Sequence, residues 1–110
     1  MQNDIQSLTS LVKAFVDERD WDQFHNPKDL ALALSIEASE LNEAFLWKKA
    51  EDAKPEKVAE ELADVFIYAL LLARKYGFDI PTIVKHKLAS NAEKYPVEKA
   101  KGNAKKYNEF

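Results

Sequence analysis

The chain has 110 residues, the length of one domain with a small hydrophobic core. Apolar residues make up 46% and charged residues 32%, with a net charge of −3, so the composition is globular and offers no basic surface for a nucleic-acid partner. The absence of cysteine excludes a disulfide framework and a zinc–thiolate site, and it fits a cytoplasmic protein.

Apolar residues recur at three- and four-residue spacing, which predicts helices in chain order. The predicted helices cover roughly residues 4–19, 27–50, 55–76 and 80–94. Asn26 and Pro27 are typical of a helix start, and Gly77 of a helix end. Only two glycines occur in the chain, which disfavours the turns that strands need. We therefore predict an all-α fold, a four-helix antiparallel bundle over residues 1–96 with a polar, lysine-rich tail over residues 97–110.

Large apolar side chains predict self-association. The chain has more large apolar side chains than so thin a bundle can bury, among them Trp21, Trp47 and Phe66. We therefore expect a homodimer or a homotetramer. The longest apolar run, residues 65–73, is about half the length of a membrane span. No basic segment followed by an apolar one opens the sequence, so we expect neither a signal peptide nor a membrane partner.

Carboxylates interrupt the apolar stripes of the second and third helices. Glu37 and Glu40 lie three residues apart within stripes of Leu, Ile and Ala, and Glu61 and Asp64 repeat the arrangement. Helix three has no basic residue between Glu61 and Arg74, so pairing within each helix is predicted to be poor. Because clustered unpaired carboxylates are costly away from water, a bound cation is favoured. Oxygen ligands select Mg²⁺, or Mn²⁺, and such sites commonly act on phosphates.

Two alternatives to a phosphate-chemistry site stay open. The acids of an amphipathic helix are often simply solvated, which would leave a non-enzymatic helical interaction module. A carboxylate-bridged di-iron bundle also uses inward glutamates, but it requires Glu-x-x-His pairs, and positions 40 and 64 hold Glu and Asp.

Several sequence segments resemble one protein family. "EASE" followed by "ELAD" matches the E-x-x-E…E-x-x-D signature of the MazG-like all-α nucleoside triphosphate pyrophosphohydrolases. "RDWDQFHNP", "EAFLWK" and "KLASNAEKYP" resemble the dCTP pyrophosphatase branch of that family. The resemblance covers about residues 8 to 96. One departure concerns base selectivity, because Val12 stands where the eukaryotic dCTP enzymes place a histidine.

The resemblance implies an activity and its residues. Glu37, Glu40, Glu61 and Asp64 would bind Mg²⁺, and a deoxynucleoside triphosphate would be cut between its α- and β-phosphates to give a monophosphate and pyrophosphate. Glu37 or Glu40 would also be the candidate general base, and the spacing does not separate ligand from base. The resemblance also implies oligomers whose active sites lie near subunit contacts.

Two further groups of residues are candidates for binding the substrate. Lys87, Asn91, Lys94 and Tyr95 follow the family pattern on one helix face and are predicted to hold the phosphates. For the base, the candidates are Trp21 and His25 in the irregular segment, Trp47 two turns after Glu40, and Tyr68 one turn after Asp64. Trp47 and Tyr68 are equally compatible with core packing. His25 is equally compatible with a helix cap or an exposed position.

Overall fold

The computed structural model describes residues 4–104 and residue 108, and every long element in them is helical. The α-helices are α1 (Asp4–Glu18), α2 (Pro27–Glu43), α3 (Pro55–Tyr76), α4 (Ile80–Lys94) and α5 (Val97–Ala100). Short 3₁₀ turns lie at Asp22–Phe24 and Ala50–Asp52. The prediction of an all-α fold is confirmed. None of the helices in this described part has both the length and the hydropathy to span a membrane.

The helix boundaries follow local capping chemistry at most ends. Asn26 caps α2, with its side chain accepting a hydrogen bond from the Asp29 N–H at 2.9 Å. Asp79 caps α4 in the same way through the Thr82 N–H. Gly77 ends α3 in the left-handed region, with φ of 68°, where a residue without a Cβ is favoured. These boundaries were predictable because each depends on one or two neighbouring residues.

The predicted C-terminal end of the second helix is wrong. The helix stops at Glu43 rather than near residue 50. Tighter turns replace the helical bonds, as the Phe45 N–H donates to Asn42 and the Leu46 N–H to Glu43, and Trp47 has a φ of 63°. No glycine or proline marks this end in the sequence. Because Ala44 is only 6% exposed, we attribute the stop to packing rather than to a local signal.

The core of the first compact unit, which ends at Gly77, joins three helices. Val16 of α1, Leu30 of α2 and Leu71 of α3 form its buried centre, with Val12 and Tyr68 packed against it. Helix α3 contacts both α1 and α2, so it is the central element of this unit. The core is small because a chain of this length has few positions that are fully shielded from water.

The second compact unit begins at Phe78 and contains α4 and α5. Helix α5 lies in the segment that was predicted to be a polar tail, and the Asn103 side-chain amide donates to the Lys99 carbonyl at 2.7 Å. Positions 105–107, 109 and 110 of that predicted tail lie outside the described residues. The boundary at residue 96 and the packing of four long helices into one antiparallel bundle stay predictions.

Candidate functional site

Three carboxylates from two helices converge on one point. Glu37 of α2, and Glu61 and Asp64 of α3, each present an oxygen atom within 4.8 Å of the other two. The convergence follows from the packing of α2 against α3, because the i, i+3 spacing places Glu61 and Asp64 on one face of α3. We call Glu37, Glu61 and Asp64 the carboxylate cluster. The sequence predicted that these residues would come together, and the helix packing brings them together.

Glu40 lies beside this cluster and interacts with Glu37. Partial burial raises the pKa of Glu37, and a hydrogen bond with Glu40 and the negative charges of Asp64 and Glu61 raise the pKa further. The shift has the direction expected when like charges share a site. The protein by itself therefore leaves negative charge at this point poorly compensated.

Two oxygens of the carboxylate cluster are buried without a hydrogen-bond partner among the described residues. They are Glu37 Oε2 and Glu61 Oε2. Buried polar atoms normally have a partner, and a bound ion is one explanation for an oxygen that has none. Carboxylate oxygens are hard ligands that suit Mg²⁺ or Mn²⁺. The cluster therefore has the chemistry and the open valences of a divalent-cation site.

Glu61 does have a basic partner, so the prediction of poor pairing within each helix is wrong for this residue. Lys57 Nζ lies 2.8 Å from Glu61 Oε1, one turn earlier in α3. The signal was the i, i+4 spacing of a lysine and a glutamate, and it lies on the N-terminal side of Glu61 rather than between Glu61 and Arg74. The pairing neutralises one oxygen of Glu61 and leaves Oε2 without a partner.

A mainly apolar cavity of about 400 Å³ adjoins the carboxylate cluster. Asp64 belongs to both, and Tyr68 follows it by one turn in the cavity wall. The cavity is lined by Leu11, Val12, Phe15, Val16, Trp21, His25, Asp64, Ile67, Tyr68 and Leu71. Its size lies within the usual range for small-molecule sites, which is roughly 300–1,000 Å³. The sequence indicated Trp21, His25, Asp64 and Tyr68 as site residues, but it gave no sign that Leu11, Phe15 and Ile67 would line a cavity.

The segment after α1 presents Trp21 to the cavity. Asp20 has a φ of 54°, which reverses the chain, and the Trp21 N–H then donates to the Val16 carbonyl at 3.1 Å. The Trp21 ring packs edge-on against Phe15, with centroids 5.8 Å apart. Local hydrogen bonds and aromatic packing together fix the orientation of this wall.

An ion-pair cluster joins the same segment to the end of α3. Asp22 Oδ1 lies 3.2 Å from Arg74 Nη1 and 3.0 Å from Lys75 Nζ. Hydrogen bonds from Lys75 and Arg74 hold the pKa of Asp22 below its usual range. These three residues were missed by sequence reasoning, because no local spacing connects positions 52 residues apart.

His25 and Tyr68 bring polar atoms to the cavity. His25 Nδ1 is buried and has no hydrogen-bond partner among the described residues. Burial raises the pKa of Tyr68, and the charges of Glu37, Asp64 and Glu40 raise the pKa further, so its hydroxyl stays protonated. Of the alternatives open for Tyr68, core packing and cavity lining both apply, because it contacts the buried core and lines the cavity.

Trp47 is not among the residues that line the cavity, and the predicted phosphate-binding residues belong to the second compact unit. The predicted position of Trp47 on the same helix face as Glu40 is wrong, since α2 has ended and the side chain is 95% exposed. Lys87 and Asn91 lie on α4, Lys94 is its last residue, and Tyr95 is its C-cap. All four belong to the unit that begins at Phe78. Their role with phosphate stays a prediction.

Comparison with known proteins gives consistent similarities. The sequence model of the MazG-like family matches residues 32–110. The chain is 38% identical to dCTP pyrophosphatase 1 of Bos taurus and 37% identical to that of Homo sapiens, over 96% of this chain and 68% and 67% of those proteins. A crystal structure of a pyrophosphatase from Archaeoglobus fulgidus superposes with a TM-score of 0.80 and 35% identity, covering 87% of this chain and 95% of that one.

Proposed function

Because the chain belongs to the MazG-like family, we propose that it hydrolyses nucleoside triphosphates, with dCTP or a related dNTP as substrate, between the α- and β-phosphates. The products are the nucleoside monophosphate and pyrophosphate. The observation that carries this proposal is the sharing of Asp64 between the carboxylate cluster and the apolar cavity. A base in the cavity would place its phosphates beside a cation on the cluster.

Glu37, Glu61 and Asp64 hold a divalent cation in this proposal, with Mg²⁺ as the first choice and Mn²⁺ as the second. Their two orphaned oxygens support it. When bound, such an ion supplies Lewis-acid polarisation of phosphoryl oxygens and lowers the pKa of a water. Glu40, whose carboxylate acts on Glu37, completes the ligand set or, like Glu37, accepts the proton of the attacking water.

The cavity accepts the nucleobase. Trp21 offers an aromatic wall, and base–aromatic stacking contributes about 1–3 kcal/mol per base. His25 Nδ1 and the Tyr68 hydroxyl are the polar groups available for hydrogen bonds with the base or sugar. We keep Trp47 as a candidate base contact, because its exposed side chain is free to meet the base or a second subunit.

The substrate also needs cations for its phosphates, because the carboxylate cluster repels them. We assign this role to Lys87 and Lys94, with Asn91 and Tyr95 adding hydrogen bonds, on the strength of the family pattern in the sequence. Phosphoryl transfer is catalysed mainly by positioning and electrostatic stabilisation, which is what such groups supply.

Self-association of the four-helix bundle belongs to the same proposal. Ile36 of α2 is 50% exposed and Phe66 of α3 is 59% exposed. Further large apolar side chains of both helices are also exposed. Exposed apolar surface of this kind commonly marks a protein interface. We propose a cytoplasmic homodimer or homotetramer. Sedimentation velocity tests it, and a monomer at every concentration would contradict it.

One assay tests the activity. Purified protein is incubated with a panel of dNTPs and NTPs, with and without Mg²⁺, and pyrophosphate is measured. We expect pyrophosphate only with Mg²⁺, and the highest rate with dCTP or a close relative. Release of orthophosphate in place of pyrophosphate would refute α–β cleavage, and no release from any nucleotide by folded protein would refute the enzyme.

A Glu40→Gln variant tests the site. Its activity should fall by about 100-fold or more, because one charged group of the reacting centre is lost. Its fold should survive, because the substitution removes a like-charge repulsion. Glu43→Gln, one turn later and exposed, is the matched control and should keep its activity. A fully active Glu40→Gln variant would show that the site is misplaced.

A further inference from the structure

Lys57 forms an ion pair with one oxygen of the most buried carboxylate in the cluster. Among the described residues, Glu61 is the only charged residue that is buried, with 8% of its surface exposed. Lys57 Nζ lies 2.8 Å from its Oε1, while Oε2 faces no partner. The ammonium is therefore the protein's own compensation for a carboxylate that would otherwise be buried and unpaired.

A second acid of the site, Glu40, also acts on Lys57 through its charge. The hydrogen bond to Glu61 raises the pKa of Lys57, and the charges of Glu61, Glu60 and Glu40 add to that effect. The side chain is 53% exposed, so its ammonium has water on one side and the carboxylate on the other. Water can solvate the released ammonium of a half-exposed lysine, so the cost of breaking the pair falls on the buried Glu61 carboxylate and is offset when a divalent cation takes the place of the lysine.

A divalent cation on the carboxylate cluster changes the environment of Lys57. Glu61 would then share its negative charge with the ion, and the lysine would lie next to a positive charge. Like charges within a few ångströms repel, so the two cations compete for Glu61. Lys13 and Asp17 form an ion pair of the same i, i+4 spacing on α1, with both side chains about half exposed and neither residue in the carboxylate cluster, so this pair serves as the comparison.

We propose that Lys57 is a resident counterion of the cation site, which holds Glu61 in the metal-free protein, leaves it when a divalent cation binds, and then contacts the substrate's phosphates. This inference rests on the proposed function and deepens it. It makes Lys57 a residue that tunes cation affinity and adds a positive charge for the triphosphate. Neither role follows from the acidic signature.

The test measures Mg²⁺ binding without nucleotide by isothermal titration calorimetry, in wild type, Lys57→Met, Lys57→Arg and the matched control Lys13→Met. For Lys57→Met we expect a Kd about two- to fivefold lower than wild type, the change that corresponds to loss of one partly exposed ion pair. Lys57→Arg keeps the competing charge and should bind Mg²⁺ as wild type does. Lys13→Met should also match wild type.

A second measurement, the KM for the nucleotide, should change in the direction opposite to the Kd for Mg²⁺. In steady-state assays at saturating Mg²⁺, Lys57→Met should show a KM for the nucleotide raised by a few fold, with Lys13→Met unchanged. Tighter Mg²⁺ binding together with a higher nucleotide KM supports the proposal, since loss of fold would weaken both.

Two results would overturn the inference. An unchanged or higher Kd for Mg²⁺ in folded Lys57→Met, while wild type binds Mg²⁺ and releases pyrophosphate, rejects the role of Lys57 and leaves the proposed function standing. A wild-type protein that takes up no Mg²⁺ rejects both the counterion role and the cation site.

Discussion

The Asp22 carboxylate accepts a hydrogen bond from the Arg74 guanidinium at 3.2 Å, although the two residues are 52 positions apart. Asp22 follows Trp21, a wall of the apolar cavity, and Arg74 lies in the last turn of α3. Lys75 adds a second contact at 3.0 Å. The ion pair therefore fastens the segment that carries Trp21 and His25 to the helix that carries Asp64 and Tyr68.

The pH dependence of the stability of an Asp22→Asn variant tests the contribution of this ion pair. Because the pKa of Asp22 is lowered from 3.8 in the folded protein, its contribution to stability is present above that value and is lost as pH falls through the folded-state pKa. Asp22→Asn should be less stable than wild type near neutral pH. The difference should shrink below pH 3.8 and vanish at lower pH. Urea unfolding at a series of pH values measures it.

The control for Asp22→Asn is Glu18→Gln, whose partner Arg19 lies 3.6 Å away in an exposed pair. It should change stability little, because exposed pairs contribute little. In the enzyme assay, Asp22→Asn should raise the nucleotide KM by less than about tenfold and leave kcat nearly unchanged, as a wall is displaced while the reacting groups stay. Equal pH profiles for the two variants would contradict the fastening role.

Trp21→Ala tests the cavity as the base site. We expect a KM for the preferred nucleotide raised by about tenfold, because one stacking contact is lost. Phe24→Ala is the matched control, since Phe24 is an aromatic of the same segment, is 65% exposed and lies outside the cavity lining. Steady-state kinetics separate the two. A similar KM in both variants would place the base elsewhere.

Leu30→Ala tests the small core. Leu30 is 1% exposed and packs with Val16 and Leu71, so truncation removes buried contacts from all three helices of the first unit. The free energy of unfolding should fall by about 2–4 kcal/mol, as for other buried Leu-to-Ala changes. Chemical denaturation measures the loss. A loss below about 1 kcal/mol would mean that Leu30 is not central to the core.

Gly77→Ala tests the end of α3. The added Cβ meets no atom within 4 Å, so the cost comes from the φ of 68° alone. We expect a loss of about 1 kcal/mol, the penalty for a residue with a Cβ in the left-handed region. Gly77→Asn should lose less, because asparagine tolerates this conformation. Equal stability of Gly77→Ala and wild type in urea would contradict the strain.

Local signals account for the parts of this fold that the sequence predicted well. Asn26 with Pro27 at the start of α2, and Gly77 at the end of α3, act through their own backbone neighbours. The end of α2 was missed because Ala44 to Trp47 carry no local stop signal. Trp47 was misplaced on the face of Glu40 for the same reason.

The carboxylate cluster was likewise predicted in part from the sequence and decided in part by the helix packing. The i, i+3 spacing placed Glu61 and Asp64 on one face, and the apolar stripe around Glu37 indicated that its face would be partly buried. Lys57 was available from the sequence at i−4 from Glu61, yet only the helix geometry shows which oxygen it occupies.

By itself, the sequence determined the all-α fold, the ends of most helices and the acidic residues that share a helix face, because all of these depend on spacing along one element. The tertiary structure decided which side chains from different elements meet. It joined Asp64 to both the carboxylate cluster and the cavity, paired Asp22 with Arg74, and left Glu61 Oε2 without a partner. Contacts between distant positions depend on how helices pack, and no periodicity within one helix encodes that.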